Sequence, residues 1–290
     1  VDYTNGEYGP EVVSDYLCDF MERHKEGPFL AYYPMILPHW PFQPTPDSKD
    51  WDPTETKEWP KAKWNKPHFQ DMVSYVDKMV KKIVTKLDDL GIRENTLVIF
   101  TCDNGTYVGI TSKLRDGTII KGGKGSMPDA GNRVPFIANW PGTIKPSQVK
   151  QDVIDFSDIL PTLCEAAGAK IPADLKVDGR SFYPLLGGDK YTTREYIYMW
   201  YGRNGGPKGK AFTRDQRFKL YQTGKFYDVS KDPLEKNPLA PNGKGPAAMA
   251  HEKLAKALAL YKDARVITST KLPGEKKDKP KKKPKKQARP

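Results

Sequence analysis

The sequence predicts an α/β fold, with a mainly parallel sheet sandwiched by helices and a small antiparallel α+β subdomain at the C-terminal end. Helix-like and strand-like segments alternate through residues 1–189, as in sheets covered by helices on both faces. The run at 96–101 reads Thr-Leu-Val-Ile-Phe-Thr without polar alternation, which is typical of a strand buried on both faces. After about Lys190 the pattern changes to short, aromatic, alternating segments.

The first third of the chain predicts a helix, a strand and a loop. Val13, Leu17 and Phe20 recur at helical spacing within 10–25, and Gly27-Pro28 ends this helix. An apolar strand is expected at 29–35. A loop follows, because Pro38 and Pro41 flank the pair His39-Trp40. The segment 44–67 is rich in Pro, Trp and charge and indicates an excursion over the surface.

The middle third continues the alternation. A long helix is expected at 69–90, ending at Gly91. The strand at 96–101 follows, then a buried strand at 134–140 and a helix at 156–167 that Gly168 closes.

The last part predicts the small subdomain and a tail. Residues 190–268 hold strand-like segments at 194–201 and 211–222 and a helix at 247–265. Residues 269–290 are Lys/Pro-rich and are expected to stay disordered, because they hold too little apolar surface to offset the entropy of ordering.

Charge and composition exclude two classes of partner. The net charge is +12, but ten Lys or Arg and only two acidic residues lie between 271 and 290, so the basic character belongs to the tail. A nucleic-acid-binding fold is therefore not indicated. No apolar run approaches the length of a membrane span. The three cysteines, Cys18, Cys102 and Cys164, form no metal or disulfide pattern.

Asp103-Asn104-Gly105 is the first candidate site. It directly follows the buried strand, so two oxygen ligands would lie at a sheet edge, and oxygen donors suit Ca²⁺ or Mg²⁺ better than zinc. The alternative is an ordinary turn, since Asp, Asn and Gly are favoured there.

Lys124 and His39 are the other candidates. Lys124 lies among Gly122, Gly123 and Gly125, where a backbone could approach an anion, but the segment lacks the phosphate-loop pattern and could be a surface turn. His39 is one of four histidines and sits in a rigid loop after a strand, where a functional and a structural imidazole are equally expected.

The order of these motifs resembles the sulfatase family of the alkaline-phosphatase-like superfamily. The similar stretches are Leu-Pro-His39-Trp-Pro-Phe, Phe-Thr-Cys-Asp103-Asn104-Gly105, Gly-Gly-Lys124-Gly, Arg133-Val-Pro with Trp140-Pro-Gly, and Tyr227-Asp with Asp232-Pro-Leu-Glu235. Together they cover residues 8–240.

The resemblance implies a sulfuric ester hydrolase. Asp103 and Asn104 would be ligands of Ca²⁺, with Mg²⁺ as the alternative, and Lys124 and His39 would act on the sulfate and the leaving group. The substrate would be a sulfated small molecule or a sulfated glycan, and the location periplasmic or secreted. Trp40, Trp51, Trp59 and Trp64 could stack on substrate or simply pack their loop.

One departure from the family pattern affects activity. The family's nucleophile is a formylglycine made in a Cys-x-Pro/Ala-x-Arg motif, and no cysteine here lies in one. We therefore expect a fold that is incomplete at its N-terminus, with the nucleophile in a missing N-terminal segment and this chain inactive alone. The alternatives are a truncated or split non-catalytic paralogue, which could self-associate, and a phosphatase or phosphodiesterase of the same superfamily.

Overall fold

The computed structural model describes residues 6–54, 66–202, 209–241 and 243–263. Two helices open it: α1 (Gly9–His24) and α2 (Lys66–Asp89). In α1, proline in the first turn needs no hydrogen-bond donor, and acidic Glu11 near the start and basic Arg23 near the end suit the helix dipole. The sequence predicts α1 at 10–25 and α2 at 69–90. Both helices lie within two residues of these bounds, except that α2 begins earlier, at Lys66.

The packing of α2 on the loop at 37–42 forms the first core. Tyr75, Met79 and Met72 on α2 are almost fully buried, and they pack with Leu37 and Phe42 of the loop between α1 and α2. At its rim the Lys86 ammonium lies 2.6 Å from the Glu22 carboxylate. Met72, Met79 and Leu87 recur at helical spacing along α2 and lie on its buried face.

The central region contains β1 (Val98–Thr101), the hairpin of β2 (Thr111–Lys113) and β3 (Ile119–Lys121), the short helix α3 (Asp129–Asn132) and β4 (Phe136–Asn139). β1 pairs with β4 in an antiparallel register. The expected parallel pairing is not found among the described strands, because the chain returns to β1 through a hairpin and one helical turn rather than a long crossover helix.

The strand predicted at 29–35 is not observed. This stretch makes no sheet ladder with any described residue, and Leu30 and Tyr32 are 74% and 86% exposed. Its apolar, aromatic composition suits a strand, but a strand also needs a neighbour to complete its backbone hydrogen bonds.

A second helical layer follows β4. A 3-10 turn at Phe156–Asp158 leads into α4 (Ile159–Ala166), and α5 (Tyr183–Gly187) follows. The fully buried Asp158 carboxylate accepts the Arg180 amide at 2.7 Å and pairs with the Arg194 guanidinium. This buried ion pair ties the chain just before the C-terminal sheet to α4.

The C-terminal subdomain is an antiparallel sheet with one helix, as predicted. β5 (Ile197–Tyr201), β6 (Lys210–Arg214), β7 (Phe218–Tyr221) and β8 (Phe226–Asp228) pair in that order, and α6 (Pro246–Leu260) covers the sheet. The segment expected as one strand at 211–222 is a hairpin. The Asp215 carboxylate makes the turn by accepting the Phe218 amide at 2.7 Å.

Three predictions remain to be compared with the described residues: the lack of a membrane span, the disordered tail and the role of the tryptophans. None of the described helices combines the length and apolar character needed to cross a bilayer. The tail at 269–290, together with Trp59 and Trp64, lies outside the described residues, so its predicted disorder and the domain bounds at 189 and 268 stay predictions. Trp51 packs edge-on against Tyr8 with ring centroids 5.4 Å apart, as expected for a loop-packing residue.

Candidate functional site

Asp103 and Asn104 lie directly beyond the end of β1. The strand end is anchored because the Thr101 hydroxyl donates to the Pro135 carbonyl at 2.8 Å, next to β4. Asp103 is exposed and Asn104 is half-buried. The fold therefore holds their backbone firmly and leaves their oxygen atoms accessible at the sheet edge.

Gly105 packs the next turn of chain against α3. Its amide donates to the Gly131 carbonyl at 3.0 Å, and a Cβ atom built on Gly105 would lie 2.0 Å from the Ala130 carbonyl oxygen. No side chain fits there. The glycine after Asp103-Asn104 is thus required by a close backbone approach.

Lys124 lies on a loop that rests on the same segment. Its amide donates to the Thr106 carbonyl at 2.9 Å, and the Gly122 amide donates to the Ile110 carbonyl at 2.8 Å. A Cβ on Gly122 would lie 2.0 Å from the Tyr107 carbonyl oxygen. The glycines before Lys124 therefore serve close packing of two loops, and the loop is not a free surface turn.

His39 is brought to the same place by ring packing. Its neighbour Trp40 stacks on Tyr107, with centroids 6.4 Å apart and planes 13° from parallel. Phe42 contacts Tyr107 edge-on at 5.9 Å. Since Tyr107 follows Asp103-Asn104 by only a few residues, the His39 loop and the Asp103 loop are neighbours.

One nitrogen of the His39 ring is engaged in a hydrogen bond. Nδ1 lies within hydrogen-bond distance of the Trp40 carbonyl, and because a carbonyl can only accept, Nδ1 donates. Nε2 is then the ring atom available to a ligand, as acceptor when the ring is neutral and as donor when it is protonated. His39 is exposed.

The side chains of the other three candidates make no hydrogen bond or ion pair within the described residues. Across residues 6–54, 66–202, 209–241 and 243–263, no hydrogen bond or ion pair engages the Asp103 carboxylate, the Asn104 amide or the Lys124 ammonium. In a structural turn, Asp and Asn side chains normally hydrogen-bond to the local backbone. The three side chains are therefore available to a ligand.

The donor set fits part of a hard-cation site. A carboxylate and an amide oxygen are ligands that Ca²⁺ accepts, but Ca²⁺ takes six to eight oxygens. Within the described residues no group of three or more His, Cys, Asp or Glu side chains could hold a metal ion. Further oxygens would come from backbone carbonyls, water, substrate or polypeptide outside the described part.

Cys102, next to Asp103, does not have the environment of a nucleophile. Burial raises the pKa of its thiol, and the charge of Asp103 raises that pKa further. A reactive cysteine needs the opposite, a lowered pKa. The described surroundings of Cys102 therefore do not lower the pKa of its thiol.

Tyr201 is a neighbour of the site that the sequence did not indicate. It ends β5 in the C-terminal subdomain, and its hydroxyl would lie 3.2 Å from a Cβ built on Gly125, beside Lys124. Tyr107 and Ala130 were likewise missed. Their contacts join segments distant along the chain, and no local pattern signals them.

Comparison with known proteins identifies the family. The family model described as Sulfatase matches residues 1–169, more than half of the chain. A second model, described as N-sulphoglucosamine sulphohydrolase, C-terminal, matches residues 123–262. The two together span α1 to α6.

Individual sulfatases also match this chain. Human steryl-sulfatase is 30% identical over 261 residues, covering 77% of this chain and 43% of the human protein. N-acetylgalactosamine-6-O-sulfatase of Bacteroides thetaiotaomicron is 27% identical over 254 residues, covering 79% of this chain and 47% of that protein. The chain thus spans less than half the length of these relatives.

Solved structures confirm the fold class. The structure of Ps i-CgsB in complex with k-i-k-neocarrahexaose superposes with a TM-score of 0.69 at 24% identity, over 91% of this chain and 56% of that chain. A protein of glycosaminoglycan metabolism in Bacteroides thetaiotaomicron gives a TM-score of 0.67 over 87% of this chain and 54% of that chain. The expected alkaline-phosphatase-like α/β class is therefore correct, and the chain belongs to the sulfatase family.

Proposed function

We propose that the whole protein is a sulfatase that hydrolyses sulfate monoesters, and that this chain supplies half of its active site. The observation that carries the proposal is the meeting of three loops that hold His39, Lys124 and Asp103-Asn104, with the ligand-binding atoms of all four left free among the described residues. Membership of the sulfatase family supports it.

The chain's own residues would stabilise negative charge and donate protons. Sulfate ester cleavage builds negative charge on the bridging oxygen. The Lys124 ammonium would stabilise that charge, and His39 Nε2 would hydrogen-bond the ester oxygen or protonate the leaving group. Asp103 and Asn104 would hold the metal, Ca²⁺ in the first place and Mg²⁺ as the alternative. When bound, the cation supplies Lewis-acid polarisation of a sulfate oxygen.

The nucleophile would come from outside these 290 residues. None of the cysteines lies in a formylglycine motif. We therefore place the formylglycine nucleophile on polypeptide that the present chain does not include.

The substrate is proposed as a sulfated glycan or a sulfated small molecule. Relatives named for a sugar sulfate and for a steryl sulfate support both classes. The solved neighbour that binds a neocarrahexaose supports an oligosaccharide. A periplasmic or secreted location would place the enzyme where such polymers occur.

The coding sequence immediately upstream of the Val1 codon tests this proposal. It is expected to continue the reading frame and to encode a Cys- or Ser-x-Pro/Ala-x-Arg motif preceded by a strand ending in paired aspartates. A stop codon or unrelated sequence at that place would instead favour a non-catalytic paralogue.

A kinetic counterpart uses the pure 290-residue chain. With saturating Ca²⁺ it should release no sulfate from an aryl sulfate above the buffer rate, because the nucleophile is absent. Turnover by this chain alone would contradict the assignment of the nucleophile to another segment.

A further inference from the structure

Lys219 is a fully buried cation between the C-terminal subdomain and α3. Its side chain, on β7, is 0% exposed, and its ammonium contacts the Met127 carbonyl at 2.8 Å, Glu235 Oε1 at 2.8 Å and Asp129 Oδ1 at 3.3 Å. The ammonium also lies 4.1 Å from the centroid of the Phe212 ring. Three acceptors and an aromatic face replace the water that this charge has lost.

The partners of Lys219 are themselves tied to the sheet. Arg214 Nη1, on β6, donates to both Asp129 oxygens at 3.0 Å. The Tyr221 hydroxyl, on β7, donates to the other oxygen of Glu235. We call Asp129, Arg214, Lys219, Tyr221 and Glu235 the buried network. It fastens the start of α3 to two neighbouring strands.

The segment held by the buried network also supports the candidate site. The Gly131 carbonyl of α3 accepts the Gly105 amide at 3.0 Å. A Cβ built on Gly123 would lie 2.7 Å from the Ala130 carbonyl carbon, so the loop before Lys124 lies directly on α3. A shift of α3 would therefore move both the Asp103-Asn104 turn and the Lys124 loop.

We propose that Lys219 is a positioning residue, which fixes α3 and through it the backbone of Asp103, Asn104 and Lys124. It makes no contact with the candidate site itself. Moving α3 away from the sheet would break these contacts and leave buried charges without partners, which is costly, so the buried network resists a shift of α3. The assignment of the candidate site to sulfate hydrolysis rests on the proposed function, but the positioning of its loops by Lys219 can be measured without catalysis.

Hydrogen exchange on the 290-residue chain tests the proposal. The amides of Gly105 and Lys124 are followed individually, because their acceptors, Gly131 and Thr106, report on the contacts of the two loops. In the variant Lys219→Met, which keeps the length and removes the charge, both amides should exchange at least about tenfold faster. Amides in α1 and α2 should keep their wild-type rates.

A matched control separates positioning from general loss of stability. Lys253 on α6 pairs with Asp215 at 2.7 Å in the same subdomain and touches neither α3 nor the site loops. Lys253→Met should leave the Gly105 and Lys124 amides unchanged. If Lys219→Met does not fold, Glu235→Gln weakens the same network more gently and should accelerate the same two amides.

Two results would overturn the proposal. One is an unchanged rate at Gly105 and Lys124 in a folded Lys219→Met or Glu235→Gln variant. The other is equal acceleration throughout the chain, α1 and α2 included, which would make Lys219 a general stabilising residue. Failure of the sulfatase assignment would appear separately, as a whole protein without sulfate release and with the same exchange pattern.

Discussion

Lys124 combines a fixed backbone with a free ammonium. Its amide is held by Thr106, while its charged end is uncommitted among the described residues. In the protein expressed from its whole reading frame, Lys124→Ala should lower kcat for an aryl sulfate by about 10²–10³-fold, the usual cost of losing one preorganised group that stabilises developing charge.

Lys121 provides the matched control for that variant. It is an exposed lysine three residues earlier, at the end of β3. Lys121→Ala should leave kcat within about twofold of the wild type, since isolated surface charges contribute little. Equal losses in the two variants would show that Lys124 has no special role.

Asp103 is expected to bind calcium. Because affinity for Ca²⁺ depends on the number of charged oxygen ligands, Asp103→Ala should weaken calcium binding by the whole protein by at least about tenfold. Isothermal titration with Ca²⁺ measures this. Asp174→Ala, at an exposed aspartate elsewhere, is the control and should bind like the wild type. Unchanged affinity in Asp103→Ala would remove Asp103 from the ligand set.

The candidate residues were chosen from the sequence, but their surroundings were not predictable from it. Asp103, Asn104, Lys124 and His39 stand in motifs that can be read locally. Tyr107, which joins the His39 loop to the Asp103 loop, and Tyr201, which lies beside Lys124, act through long-range contacts. Such contacts leave no periodic signal in the sequence.

At the scale of elements, close backbone contacts assemble the site. Gly105→Ala would place a methyl group 2.0 Å from the Ala130 carbonyl oxygen, so the Asp103 loop must move away from α3. The free energy of unfolding in urea should fall by about 1–3 kcal/mol, as for other overpacked positions. Gly27→Ala, where a Cβ meets nothing within 4 Å, should change it by less than about 0.5 kcal/mol. Equal effects would mean that the contact at Gly105 can relax freely.

The interface between α3 and the C-terminal sheet should lose stability in acid. Burial works to raise the pKa of Asp129, but the charges of Arg214 and Lys219 outweigh it and hold this pKa below its ordinary value of 3.8. A carboxyl with a lowered pKa in the folded state adds stability that is complete above the unfolded value and is lost as the pH falls through the folded one.

Asp129→Asn therefore should flatten the loss of stability below about pH 4, because its amide does not titrate there. Urea midpoints measured from pH 6 downward test this, with Asp174→Asn as the control at an exposed aspartate. Parallel pH curves for Asp129→Asn and the wild type would show that the network does not couple folding to this carboxyl.

Sequence periodicity predicted most elements but not how the strands pair. The long helix α2, the apolar run of β1 and the aromatic strands of the subdomain were all predicted from the sequence. The antiparallel pairing of β1 with β4 was not, because apolar composition does not encode strand direction. The run at 29–35 has strand composition and no described neighbour, so it forms no ladder.

At the scale of the whole molecule, that run exposes apolar side chains. Leu30, Tyr32 and Ile36 are 74%, 86% and 69% exposed on a segment that joins no described strand. Exposed apolar side chains of this kind mark a surface prone to association with another chain. The 290-residue chain should therefore self-associate at micromolar concentration, as seen in sedimentation velocity. Leu30→Lys with Ile36→Lys should shift it toward monomer.

Met249 supplies the control for self-association. It is 72% exposed, but lies on α6, whose backbone hydrogen bonds are complete within the helix. Met249→Lys should leave the association unchanged. A wild-type chain that stays monomeric at high concentration would contradict the role given to the 29–36 segment.

Ester hydrolysis by the protein from the whole reading frame is the most direct test of the central claim. The protein is coexpressed with a formylglycine-generating enzyme and given matched aryl sulfate and aryl phosphate esters, with and without a calcium chelator. We predict release of sulfate, with phosphate release far slower, and loss of sulfate release when Ca²⁺ is removed. Faster release of phosphate, or sulfate release that persists without any divalent cation, would contradict the account of a calcium-dependent sulfatase site at Asp103, Asn104, Lys124 and His39.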